Sequence, residues 1–244
     1  MQDAPGDDAA RLRFYHCLAD SEVFLLLQTE AQEADLQPRV FPLEDCPVVL
    51  VFDSEDRLAE FAGGIAPYAA LPGRVVAQTL AGQGVGLGVN LGVAPSAMVL
   101  PPDALDWLAR TLAQSPRQTQ ARPAAFHAPR TLPDGLMTGL SAKFARAGGL
   151  AQAALLAAVD YDDGRRGHML AFIEARPDAH EALARAAAEA LTFSGIEAGE
   201  MDVTFLAAQD PATAALARVA RRFDLPEPSR PAAAAPVAPG SDPA

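Results

Sequence analysis

This chain of 244 residues has little of what redox or metal chemistry needs. Its two cysteines, Cys17 and Cys46, form no C-x-x-C pair, and among His16, His127, His168 and His180 no two share a ligand spacing such as H-x-x-x-H. Packed, reduced thiols and surface or partly buried rings are the expectation for both sets, with no metal and no cofactor. Basic residues are scarce where acidic ones are dense. Residues 1–114 carry 6 basic and 16 acidic side chains, and residues 115–244 carry 13 and 15, so most of the net charge of −12 sits in the first half. Such a surface repels phosphate backbones and anionic lipid, which argues against nucleic acid and membrane as partners and for a basic protein steered to the N-terminal region. No run of about 18 apolar residues occurs. The first ten residues, MQDAPGDDAA, lack the apolar stretch of a secretory signal, and a cytoplasmic location is the expectation.

What is present is pattern, organised around Val48 to Ile65, VVLVFDSEDRLAEFAGGI. Val48 to Phe52 is an unbroken apolar run suited to a strand covered on both faces. Asp53 and Ser54 can then cap a helix whose first turn holds Glu55 and Asp56, where the helix dipole favours negative charge. Leu58, Phe61, Ala62 and Ile65 recur at i, i+3, i+4 and i+7, predicting one buried stripe, and Gly63-Gly64 ends the helix.

Around this unit the first half reads as a helix over 9–19, a strand over 23–28, a short edge strand over 39–43 marked by Pro42, a turn-rich connection over 67–73 and a helix over 74–81. A glycine-rich segment, GQGVGLGVNLG, leads into a strand at 85–91, followed by a strand at 97–100 and a helix opened by Pro101-Pro102-Asp103 and anchored by Trp107. Residues 115–131 hold three prolines, three arginines and no acid, the composition of an exposed linker. Beyond it come a helix over 136–144, an antiparallel hairpin of 153–159 with 168–174, a helix after Asp178 and Glu181, a strand over 201–207, and a helix after Asp210-Pro211 running through Leu216, Val219, Ala220 and Phe223. Residues 226–244 are Pro/Ala-rich and predict disorder. The fold class is therefore α+β: two small α+β domains, each a sheet packed with helices, spanning 1–114 and 132–225, with a linker at 115–131 and a disordered tail at 226–244.

The succession Phe41-Pro42, VVLVFDSEDRLAEF and the glycine-rich approach to GVNLG resembles the SseB family, named for enhanced sensitivity to serine. The later order of helix, AALLAAVDYD, HMLAFIE, helix, MDVTFL and helix is similar to that family's C-terminal domain, so the resemblance covers about residues 20–224. It departs at Asn90-Leu91-Gly92, where the family pattern has Asn-Pro-Gly. The resemblance implies a soluble bacterial protein without an established enzyme activity.

Three stretches invite a site. GQGVGLG fails the dinucleotide and P-loop patterns on spacing and on the strand that follows it, leaving a flexible turn. Asp160, Asp162, Asp163 and Gly164 lack the alternation and closing Glu of a calcium loop, leaving a solvated hairpin turn. Asp53-Ser54-Glu55-Asp56, at the carboxyl end of a strand, suits either a helix cap or, with Asn90, a ligand cleft. The function expected is a non-catalytic binding or regulatory protein; the alternative is a small-ligand binder or enzyme using a cleft around Asp53, Ser54 and Asn90. Catalytic, cofactor-binding and metal residues are expected to be none.

Overall fold

The computed structural model describes residues 5–31, 36–114, 122–130, 132–195 and 201–227. Most of the expected tail, and parts of the linker and of the polar insert after the first strand, lie outside the described residues. The chain is α+β, with seven α-helices and two mixed sheets among those residues. It divides into two compact units: Met1–Gln120 with Leu132–Leu140 and Ala184–Glu200, and Ala121–Thr131 with Ser141–Leu183 and Met201–Ala244.

In the first unit the central strand is β3 (Pro47–Phe52), and Val48 to Phe52 are all buried, as a run apolar on both faces demands. β1 (Glu22–Leu26) and β2 (Val40–Pro42) lie antiparallel to β3, and β5 (Gly86–Val89) lies parallel to it. β4 (Tyr68–Pro72) pairs with β1 and β6 (Met98–Leu100) with β5, giving the order β4-β1-β3-β5-β6 with β2 also on β3. β4 replaces the turn expected at 67–73. Its alternating exposure fits an edge strand, and β1 supplies the partner that its short, proline-bounded sequence could not announce.

One face of this sheet carries Val23, Leu25, Val49, Val51 and Leu87 into a core shared with α1 (Pro5–Asp20), α3 (Gly73–Leu80) and α4 (Pro102–Leu112). The other face is covered by α2 (Glu55–Ala62), whose Leu58 packs on Leu26, Val48, Leu50 and Phe52. Full burial of Phe52 and Leu58 contributes about 1.5–3 kcal/mol each. Phe61 reaches the Phe52 ring at 5.4 Å and the Phe41 ring at 5.8 Å. Ile65, expected in the same stripe, is instead fully exposed. Gly63 turns left-handed at φ +74°, with its N–H on the Glu60 carbonyl and that of Gly64 on the Ala59 carbonyl, so the helix ends before Ile65 can join the stripe.

The second unit is built on the hairpin of β8 (Ala153–Tyr161) and β9 (Arg166–Ile173), paired from Ala153↔Ile173 to Asp160↔Arg166. β10 (Met201–Leu206) runs parallel to β9, while β7 (Pro123–His127) and β11 (Arg221–Asp224) both lie antiparallel to β8. One face buries Leu155, Ala157, Val159 and Ile173 with Leu216 of α7 (Pro211–Ala217), a helix capped by Asp210, whose carboxylate accepts the Ala212 N–H at 2.8 Å. Rings of Phe172 on β9 and Phe223 on β11 meet Phe144 edge-on at 5.5 and 5.4 Å. Phe144 belongs to α5 (Asp134–Ala145), and α6 (His180–Phe193) follows a single 3-10 turn at Pro177–Ala179.

Two expectations are corrected by the structure. Part of the expected linker is β7, with Phe126 packed on the sheet's core. The last helix stops at Ala217, and Phe223 lies in β11. β7 pairs with β8 only at Ala158 and beyond, which leaves Ala153 to Leu156 open for β11 to take. No helix among the described residues is long and apolar enough to cross a membrane.

Candidate functional site

The parallel register of β3 and β5 sets Val51 beside Val89, so the two strands end together and bring Asp53 and Asn90 to one point. The Asn90 N–H donates to the Val51 carbonyl at 2.9 Å, and the Asn90 side-chain Oδ1 accepts the Asp53 N–H at 3.1 Å. Asn90 is buried and left-handed, at φ +53°, a conformation that asparagine tolerates better than most residues. Ser54 is extended and caps α2, its hydroxyl accepting the Arg57 N–H at 3.4 Å. The Arg57 guanidinium donates in turn to the half-exposed Asp53 carboxylate. Asp53, Ser54 and Asn90, expected together on sequence grounds, are therefore brought together. Each is engaged in holding the strand ends and the helix start.

Asn90→Ala is expected to cost about 2 kcal/mol, from the left-handed backbone and the lost acceptor. Asn90→Gly should cost about half as much, because glycine relieves the backbone and forfeits only the hydrogen bond. Urea denaturation of the two variants checks that order.

The glycine-rich segment resolves into two roles. Gly82 and Gly84 turn the chain at φ +75° and +68°, with the Gly82 N–H on the Asp106 carboxylate at 2.7 Å. Gly86 and Gly88 lie within β5, where side chains cross the strand so closely that a Cβ at 88 would meet Leu91 Cδ1 at 2.5 Å and Leu50 Cδ2 at 2.6 Å. Leu91, the residue that departs from the family pattern, thus roofs Gly88 and joins the α2-side core. At the other acidic stretch, Asp163 accepts the Arg165 N–H at 2.9 Å, Gly164 is left-handed at φ +83°, and Asp160 pairs with His127 and Arg166. That is a hairpin turn. Among the described residues no group of three His, Cys, Asp or Glu side chains could hold a metal. Cys17 is exposed, and Cys46 is half-buried against Gly86.

Two polar clusters had no signature in the sequence. In the first unit, Arg74 joins Asp20 and Glu189, and His16 approaches Asp20 at 3.3 Å while stacking on Phe193. In the second unit, the Tyr161 hydroxyl donates to Asp202, whose carboxylate also binds Arg165 at 3.0 Å, and the Arg165 guanidinium lies 4.1 Å over the Tyr161 ring. Burial, then the bond to Asp202 and its charge, raise the Tyr161 pKa above its ordinary 10.0, against a smaller opposing pull from Arg165. A folded-state pKa raised in this way favours folding with the hydroxyl neutral. The benefit is full below the unfolded value of about 10 and is lost as pH rises through the folded one. Wild-type stability is expected to fall above pH ~10 more steeply than that of Tyr161→Phe, which should itself be about 1.5 kcal/mol less stable near neutrality. Chemical denaturation across that pH range reads both effects.

Two concavities of the first unit lie away from Asp53 and Asn90: a pocket of about 180 Å³ between β1, β4 and α3, and a groove of about 840 Å³ bounded by α1, β6 and α4. Residues 2–107 match the model described as the SseB protein N-terminal domain. No curated protein and no solved structure matches the chain.

Proposed function

We propose, from the match of residues 2–107 to the SseB protein N-terminal domain, that this chain is a non-catalytic binding or regulatory protein that engages a basic protein partner on that domain. One observation carries the reading. Glu22, Glu44, Asp45, Asp56, Glu60 and Asp103 all face water, and none is joined to a cation among the described residues, so the negative field of this half is not neutralised locally. Such a field steers basic partners and repels nucleic acid and anionic membrane. A cytoplasmic setting belongs to the same proposal.

Selection of displayed peptides on the immobilised chain tests it. Sequences rich in Lys and Arg should emerge, and their affinity should fall about tenfold or more between roughly 50 and 500 mM salt, as the Debye length shrinks. Enrichment of uncharged or acidic sequences, or affinities flat in salt, would overturn it. A small-ligand reading retains one supporting observation, the meeting of Asp53 and Asn90 at the carboxyl ends of two parallel strands, where α/β proteins place ligands. A thermal-shift panel of amino acids and nucleotides tests that, since ligand at 100 times its dissociation constant adds about 2.7 kcal/mol.

A further inference from the structure

We propose that the free edge of β6, together with the groove beside it, receives an extended basic segment of the partner as an added strand. The inference rests on the binding reading above and gives it a place. β6 is the last strand of its sheet, and its outer edge pairs with nothing among the described residues, so it offers main-chain donors and acceptors to another extended chain. Its consecutive residues Met98 and Val99 point to opposite faces of the sheet and are 40% and 42% exposed, so both faces of the edge are apolar and open.

Alongside runs the groove of about 840 Å³, lined by Leu12, Tyr15, Met98, Val99 and Trp107. The Tyr15 and Trp107 rings sit 5.3 Å apart, the kind of aromatic pair that anchors the centre of an interface. β4, the opposite edge, is bounded by Pro67 and Pro72.

Charge decides among occupants. A second copy would bring the same excess of 16 acidic over 6 basic side chains in residues 1–114 against itself. The chain's own 226–244 holds six prolines, each lacking the amide donor that strand addition uses. A basic segment suits the edge. Asp103 lines the groove, in the first turn of α4, without an ion-pair partner among the described residues, whereas Arg11, the cation of the lining, is held by Asp8 at 2.6 Å. A Lys or Arg of the incoming strand would face Asp103, with its apolar neighbours on Met98, Val99 and Trp107.

The test uses the full chain and a fluorescein-labelled peptide of about seven residues, a usual strand length, alternating lysine with valine and phenylalanine. Two companions carry glutamate for lysine, or proline at the apolar positions. The basic peptide should bind, and should bind at least tenfold more weakly to Asp103→Lys and to Met98→Ser/Val99→Ser, both exposed changes whose folding is checked by circular dichroism. The glutamate and proline peptides should also bind at least tenfold more weakly, and amide shifts on binding should cluster at 98–107 and along α1. Equal binding of the basic peptide to wild type and both variants would overturn this placement while leaving the basic-partner reading intact. Equal binding of the proline peptide would overturn strand addition. Absence of binding by any basic peptide at low salt would remove both.

Discussion

Gly73→Ala is expected to destabilise the first unit by about 3 kcal/mol, although alanine is the better helix former and Gly73 opens α3. Helix propensity alone would give a gain of up to about 1 kcal/mol. Sterics oppose it. A Cβ at this position would sit 2.0 Å from the Leu18 carbonyl oxygen and 2.9 Å from its carbon, and both are backbone atoms that no rotamer change can move aside. Neither helix is free to slide, because Leu18 and Ala19 are buried in the core and the Gly73 N–H is tied to the Ser21 carbonyl at 2.8 Å. Overpacking of this sort costs about 1–3 kcal/mol and occasionally more, enough to reverse the sign that propensity predicts. Gly135→Ala, near the start of α5, is the internal control: nothing lies within 4 Å of its Cβ, and the variant should gain up to about 1 kcal/mol. Trp107, the single tryptophan, belongs to the first unit, so its fluorescence during urea denaturation reports both variants. Midpoints moving in opposite directions are expected; an unmoved Gly73→Ala midpoint would mean that α1 and α3 do not approach as described.

The parts of this fold that sequence makes legible are those fixed within a few residues of themselves. β3, the Ser54 cap, the left-handed Gly63 and the hairpin of β8 with β9 follow from apolar runs, side-chain oxygens and glycine at the positions where each is needed. β4 and β7 were hidden, because Tyr68–Pro72 and Pro123–His127 are short, small and proline-bounded, and become strands only because β1 and β8 present them with an edge. Leu216, Val219, Ala220 and Phe223 keep a helical spacing through the start of β11, so periodicity misleads until the open stretch of β8 is known. The candidate site divides in the same way. Ser54 announces itself as a cap, whereas the bond from Asn90 to Asp53 spans 37 residues and appears only once the parallel register places Val89 beside Val51.

Arg74→Met is expected to cost about 3–5 kcal/mol, more than a loss of packing at this part-exposed side chain would explain. The Arg74 guanidinium donates to Asp20 at 2.6 Å and to both oxygens of Glu189 at 3.2 Å, and the two carboxylates are only 9% and 5% exposed. Burial lowers the pKa of Arg74, and Glu189 and then Asp20 more than offset that, so the cation is held above its ordinary value. Methionine keeps the stem and removes the cation that two buried carboxylates share, and the loss of that charge is the source of the cost. Glu189→Gln alone should cost less, since Asp20 still pairs with Arg74. The double variant should fall short of the sum by about 1–3 kcal/mol, the coupling expected of residues sharing one network. The purpose of so costly an arrangement lies in α6. Its later part, rich in alanine, has few large side chains to fix its register, and a bidentate Arg74 on Glu189 supplies a single seat, reinforced where Phe193 stacks on His16 and meets Trp107 edge-on at 6.3 Å. Trp107 emission in native buffer should therefore shift in Arg74→Met before global unfolding begins. Additive costs with an unchanged emission spectrum would show that apolar packing alone seats this helix.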